Sequence, residues 1–223
     1  MRSILLTRLF LFLSILISLQ TAFGGEINGT VTINLREPDP QSPISPYAHN
    51  RNGGIQNSLQ TGVMQIVVYL SESPALKAGS PPVAHPVMDQ RNLTIHPHIL
   101  PIQVGTTVDF PNSDALYHNL FSLSPARKFD LGRYPKGDSK SVTFKTVGEV
   151  HLFCDIHPTM SAVILVLPNQ YYTTTNLRGE FKISNVPPGE FTINVWHEQL
   201  KDVSQKVIVP ESGNVSMELN LGN

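Results

Sequence analysis

The stretch VHLFCDIHPTM, residues 150–160, contains the only cysteine among 223 residues. A histidine stands three positions after Cys154 and a methionine three after that, giving Cys-x2-His-x2-Met. The preceding residues, EVHLFCDI (149–156), alternate as a strand, and MSAVILVLP (160–168) forms a second apolar run. Cys154 therefore ends one strand and Met160 begins the next. Cys154, His157 and Met160 share one tight loop, on which their side chains can converge.

Those residue types in that order suit one metal in particular. Copper in an electron-transfer site takes a thiolate and two imidazoles in a trigonal set, with a weak axial thioether. The loop supplies three of the four, and the missing imidazole must come from another strand. DALYHNLFS (114–122) offers His118. Cu(I) favours soft sulfur and Cu(II) favours nitrogen, so mixed ligands on a rigid β scaffold leave little to rearrange when an electron moves.

The lone thiol gains meaning from the start of the chain. MRSILLTRLFLFLSILISLQTAFGG has Arg2 and Arg8 ahead of an apolar core over residues 9–19, then Ala22-Phe23-Gly24 as a small-x-small cleavage pattern. This reads as a signal peptide over residues 1–24. An uncleaved anchor is the alternative, but a spanning helix needs about 20 apolar residues. An exported, periplasmic or secreted protein is expected, and such proteins use cysteines mainly in disulfides. Cys154 is then either an inert buried hydrophobe or a thiolate protected by a bound metal.

Removing the leader leaves 199 residues carrying 14 basic and 17 acidic side chains, a net charge of −3. That mild balance argues against nucleic-acid binding. No later stretch is apolar enough to cross a bilayer, so no membrane insertion of the mature chain is expected.

The chain reads as all-β. EINGTVTINL (26–35), with a Gly29 interruption, and GVMQIVVYL (62–70) are strands separated by a Pro-, Ser- and Asn-rich loop, and a second such loop covers residues 71–86. Strands then follow in short order at 98–104, 107–112, 117–123, 139–147, 149–156 and 160–168, the spacing of a β-sandwich. After Pro168, turns at Arg178-Gly179, Pro188-Gly189 and Ser212-Gly213-Asn214 separate further alternating strands, a second small β-unit.

With these residues in view, the region 86–168 resembles the cupredoxins, or blue copper proteins. The likeness rests on His118-Asn119, on Phe153 before Cys154 and on the Cys-x2-His-x2-Met loop. Pro158 after His157 makes the loop similar to the amicyanin type. More closely, MDQRNLTIHPHILPIQVGTTVDFPNSDALYHNLFS, FDLGRY and GEVHLFCDIHPTMSAVILV resemble exported plastocyanin-like proteins of the methylamine-utilisation type. The resemblance implies a Greek-key sandwich with one type 1 copper ion on His118, Cys154, His157 and Met160. It also implies that Asn119 hydrogen-bonds across to the ligand loop and that Phe153 packs beside the site along an electron path. One departure is His96, where members often carry Phe.

The tail NLRGEFKISNVPPGEFTINVWHE (176–198) is similar to the carboxypeptidase regulatory-like, or transthyretin-like, sandwich motif. That motif normally follows two strands that here lie far upstream. Residues 25–85 are therefore expected to pair with 169–223, with the cupredoxin unit inserted between. In that arrangement Val31 and Val67 should pack with Phe181 and Phe191.

These residues point to a one-electron carrier between periplasmic redox protein partners, and to no enzyme: there is no Ser-His-Asp set, phosphate loop or HExxH. A copper carrier or buffer, or a binding module with structural copper, are the other readings. The sequence leaves the oligomeric state open. His96 and His98 form a His-x-His pair, read as surface or packing residues in preference to a second metal site. His49 and His85 read as solvated loop residues, His151 as a neighbour of the site and His197 as structural. A locally basic run, Arg127, Lys128, Arg133, Lys136, Lys140 and Lys145, reads as a solvated face or a dock for an acidic partner.

Overall fold

The structure, a computed structural model, describes residues 24–34, 65–71, 73–76 and 79–222. The expected signal segment (except Gly24), most of the first long loop and His49 lie outside the described residues. Among the described residues every regular element is a strand, and no helix is long and apolar enough to cross a membrane.

The strands are β1 (Gly25–Asn34), β2 (Val67–Leu70), β3 (Asp89–Arg91), β4 (Thr94–His96), β5 (Ile99–Gln103), β6 (Thr107–Pro111), β7 (His118–Ser122) and β8 (Phe129–Tyr134). There follow β9 (Ser139–Thr143), β10 (Gly148–Cys154), β11 (Ser161–Leu167), β12 (Tyr172–Thr174), β13 (Glu180–Val186), β14 (Gly189–His197), β15 (Leu200–Val209) and β16 (Asn214–Gly222). The short strands β3, β4, β8 and β12 are too brief or too polar to announce themselves by alternation.

Five strands in the order β5-β11-β10-β7-β8 form one sheet, and β6-β9 and β3-β4 form two ribbons. Val108, Phe110 and Val142 of the β6-β9 ribbon close over Ile102, Leu120, Val150, Leu152, Ile164 and Val166 of the five-stranded sheet. Period-2 alternation explains this core: on β10, Val150, Leu152 and Cys154 face in, while Glu149, His151 and Phe153 face out.

The remaining strands form a three-stranded sheet, β13-β1-β16, and a four-stranded sheet, β12-β2-β14-β15. Strands from residues 25–70 thus pair with strands from residues 172–222, and the segment between them pairs within itself. Ile27 and Val31 pack with Phe181, Ile183, Phe191 and Ile193. Val67 does not join them. A one-residue step along a strand reverses the face, so Val68 and Leu70 enter that core while Val67 lies in a seam with Ile99, Val163, Leu165, Leu167 and Trp196.

That seam accounts for the unbroken apolar run SAVILVL. Ala162, Ile164 and Val166 of β11 face the first core, and Val163, Leu165 and Leu167 face the seam, so both faces are covered. Two polar links flank it. The Trp196 indole N–H donates to Glu149 Oε1 at 2.8 Å, and His98 Nε2 lies 2.8 Å from Glu198 Oε2.

Gly29 lies inside β1 and does not break it. β1 pairs with β13 on one side and runs parallel to β16 on the other, and a Cβ at Gly29 would run into the Met217 carbonyl. Gly29→Ala should cost about 1–3 kcal/mol, as overpacking does, measured by chemical denaturation. A second expectation concerns pH. The hydrogen bond to Glu198 raises the His98 pKa above its ordinary 6.5 against the opposing effect of burial. The same bond holds the Glu198 carboxyl below 4.5. The His98 contribution fades as pH rises through its raised value, and that of Glu198 fades as pH falls through its lowered one. The pair should therefore stabilise most between about pH 4.5 and 6.5, and Glu198→Ala should lower the melting temperature within that window and weaken its decline on either side.

Candidate metal centre

β7 and β10 are antiparallel neighbours with Cys154 opposite Leu120 and Phe153 opposite Phe121. This register puts His118, two residues before Leu120, beside the end of β10 where the ligand loop begins. The loop closes through two backbone bonds: Met160 N–H donates to the His157 carbonyl at 2.9 Å, and Cys154 N–H donates to the Met160 carbonyl at 3.2 Å.

The geometry gathers three donor atoms. Cys154 Sγ lies 4.0 Å from His118 Nδ1 and 3.8 Å from His157 Nδ1, and the two Nδ1 atoms are 3.1 Å apart. Among the described residues this is the one group of three or more His, Cys, Asp or Glu side chains positioned to hold a metal ion. Atoms sharing a first-row ion, with bonds of about 2.0 Å to nitrogen and 2.3 Å to sulfur, lie roughly 3–4 Å apart. The donor set fits. Met160 is fully buried in the same core as Cys154.

Asp114, which the sequence reading passed over, fixes the chemistry of His118. Its Oδ2 lies 2.9 Å from His118 Nε2. A carboxylate only accepts, so Nε2 carries the proton and, in the neutral ring, the Nδ1 lone pair is free to face the thiol. A carboxylate that orients a ligating imidazole is a recurring feature of metal sites. The other duties of Asp114 hold it in place. It accepts the backbone N–H of Asn92 at 2.6 Å and of Leu93 at 3.0 Å. Both residues have positive φ (55° and 57°), and they form the turn between β3 and β4. Burial works to raise the Asp114 pKa, but the Leu93 amide, the His118 ring and the Asn92 amide outweigh it and hold the carboxyl below its ordinary value. The available signal was a carboxylate four residues before the candidate histidine.

Beneath the site, Tyr134 stands opposite His118 in the β7–β8 register and donates to the Phe110 carbonyl at 3.0 Å. Chiefly through burial its pKa is pushed up to about 12, so the phenol stays neutral.

Asn119 is buried, and its Oδ1 has no hydrogen-bond partner among the described residues. Phe153 is 41 % exposed on the outer face of β10, with its ring 5.9 Å from that of Phe121, because alternation sends it away from Cys154. His96 Nε2 meets Thr94 Oγ1 at 2.8 Å, and His98 is occupied by Ser161 and Glu198, so the two rings do not converge. His151 meets Glu149 at 3.2 Å on the outer face, and His85 meets Asp109 at 2.9 Å. His197 is buried, which lowers its pKa, and its Nδ1 accepts the Gln199 N–H at 3.2 Å.

Among known families, the polysaccharide lyase family 4, domain II family matches residues 162–216, which begin on β11 and run through the second unit. No curated protein matches the chain. Among solved structures, 44 % of the chain is similar to a copper-containing nitrite reductase from Thermus scotoductus SA-01, at 24 % identity and a TM-score of 0.38. That match spans 27 % of the reductase. A reduced amicyanin variant is similar over 44 % of this chain and 97 % of its own, at 25 % identity and a TM-score of 0.36. Another reduced amicyanin variant is similar over 45 % of this chain and 97 % of its own, at 26 % identity and a TM-score of 0.35.

Loss of the orienting carboxylate should weaken metal binding. Asp114→Ala is expected to lower transition-metal affinity by about 10–100-fold in competition titration against a chelator. An unchanged affinity would mean that His118 needs no such support.

Proposed function

We propose that the chain is an exported protein with one type 1 copper centre, acting as a one-electron carrier between periplasmic redox partners. The observation that carries this reading is the buried contact of one sulfur with two imidazole nitrogens, His118 Nδ1, His157 Nδ1 and Cys154 Sγ. Copper, when bound, supplies reversible one-electron chemistry between Cu(I) and Cu(II). Cys154 would hold it as thiolate, His118 and His157 through Nδ1, and Met160 would add its weakly donating thioether. Thiolate coordination would also protect the lone cysteine outside the cytoplasm.

The surroundings favour carriage over catalysis. His118, Cys154 and Met160 are buried, and only His157 is partly exposed, which would restrict a substrate's access to a bound ion. Strands β7 and β10 hold His118 and Cys154 on paired backbone, which would limit rearrangement during electron transfer. Leu116 and Tyr117, directly before His118, are each exposed to half or more and offer an apolar surface for a redox partner. Export and a periplasmic location rest on the leader-like residues 1–24.

The copper-loaded protein should be intensely coloured as Cu(II), bleach reversibly with one electron equivalent, and give the paramagnetic spectrum of a thiolate-bound site. Cys154→Ala should abolish the colour. His96→Ala should leave it intact, since His96 is exposed and engaged only with Thr94. Loss of colour in the His96 variant, or its retention in the Cys154 variant, would overturn the ligand assignment.

A further inference from the structure

His98 lies outside the ligand set, yet its surroundings dictate its protonation. Nδ1 is 3.1 Å from the Ser161 carbonyl, and Nε2 is 2.8 Å from Glu198 Oε2. A carbonyl and a carboxylate can only accept, so both ring nitrogens must donate and the ring is an imidazolium. The raised His98 pKa and lowered Glu198 pKa agree. His98 also grips β11 through its backbone, its carbonyl accepting the Val163 N–H at 2.8 Å. It therefore holds residues 161 and 163, the first two outward steps of the strand that Met160 opens.

Glu198 belongs to the other unit, in the turn between β14 and β15. A continuous set of polar contacts thus runs from that turn through the His98 ring to the Ser161 carbonyl, one peptide from Met160. Among the described residues the Met160 backbone itself is held within its loop, by the His157 carbonyl and the Cys154 N–H. Among the described residues, His98 supplies the side-chain bond to the adjacent peptide from outside that loop.

We propose that Glu198 is a positioning residue for the metal centre: through His98 it fixes the stance of Met160, so that the second β-unit tunes the axial donor and with it the reduction potential. This rests on the copper reading above. The axial ligand is a principal control on the potential of such sites, and a hydrogen-bonded partner one step beyond a ligand commonly sets its orientation.

The test uses the full chain, metal-free and copper-loaded, as wild type, Glu198→Ala, Glu198→Gln and His98→Phe. In the metal-free protein, Glu198→Ala and His98→Phe are expected to shift and broaden the Met160 methyl resonance. In the loaded protein both should keep the thiolate colour but displace the reduction potential and change the relative intensity of the two thiolate absorption bands. Glu198→Gln, whose amide oxygen still accepts from Nε2–H, should return all three readouts toward wild type. His98→Phe carries the test if Glu198→Ala does not fold. Wild-type values of potential, bands and methyl resonance in these variants would overturn the proposal, even with a lowered melting temperature. If wild type itself forms no coloured copper complex, the copper reading fails, and the Met160 resonance still decides whether Glu198 acts on that residue.

Discussion

Two imidazole nitrogens and a sulfur atom lie within a few ångströms of one another where β7 meets the loop after β10. With His118 Nε2 committed to Asp114, the Nδ1 lone pair faces His157 Nδ1 at 3.1 Å. Two nitrogen lone pairs at that distance repel unless a proton or a metal ion lies between them. Sulfur beside them selects for a soft or borderline metal. The rest of the first unit serves this contact: the β7–β10 register sets its distance, and the two backbone bonds of the loop keep Cys154, His157 and Met160 in one turn.

β11 carries the consequence outward. It begins beside Met160, covers the metal-side core with one face and meets the second unit with the other. The two units share a strand whose faces are both dry, with Trp196–Glu149 and His98–Glu198 as polar fixings at the seam. A strand buried on both faces transmits displacement better than one that borders solvent, because close-packed interiors resist local deformation. The second unit therefore has a physical handle on the ligand loop.

The all-β fold was legible because period-2 alternation is strong in stretches such as SVTFKT and GEFTINV, and the grouping of His118, Cys154 and His157 was legible because metals constrain residue type and spacing together. Register was harder to read. Whether Val67 or Val68 entered the core with Phe191 depended on a one-residue choice that an apolar run does not mark. Asp114 stayed hidden because its partners are backbone amides at Asn92 and Leu93, and such bonds leave no trace in composition. In sequence His98 reads as one of a pair with His96, although its partners lie 63 and 100 residues away. The roles expected for Asn119 and Phe153 came from resemblance; Asn119 Oδ1 is buried without a partner among the described residues, and Phe153 lies on the outer face of β10.

Copper-edge X-ray absorption of the loaded protein tests the central claim most directly. One short sulfur contact and two imidazole nitrogens per copper are expected, with the sulfur lost in a Cys154 variant. A spectrum containing only nitrogen and oxygen neighbours, unchanged when Cys154 is replaced, would contradict it.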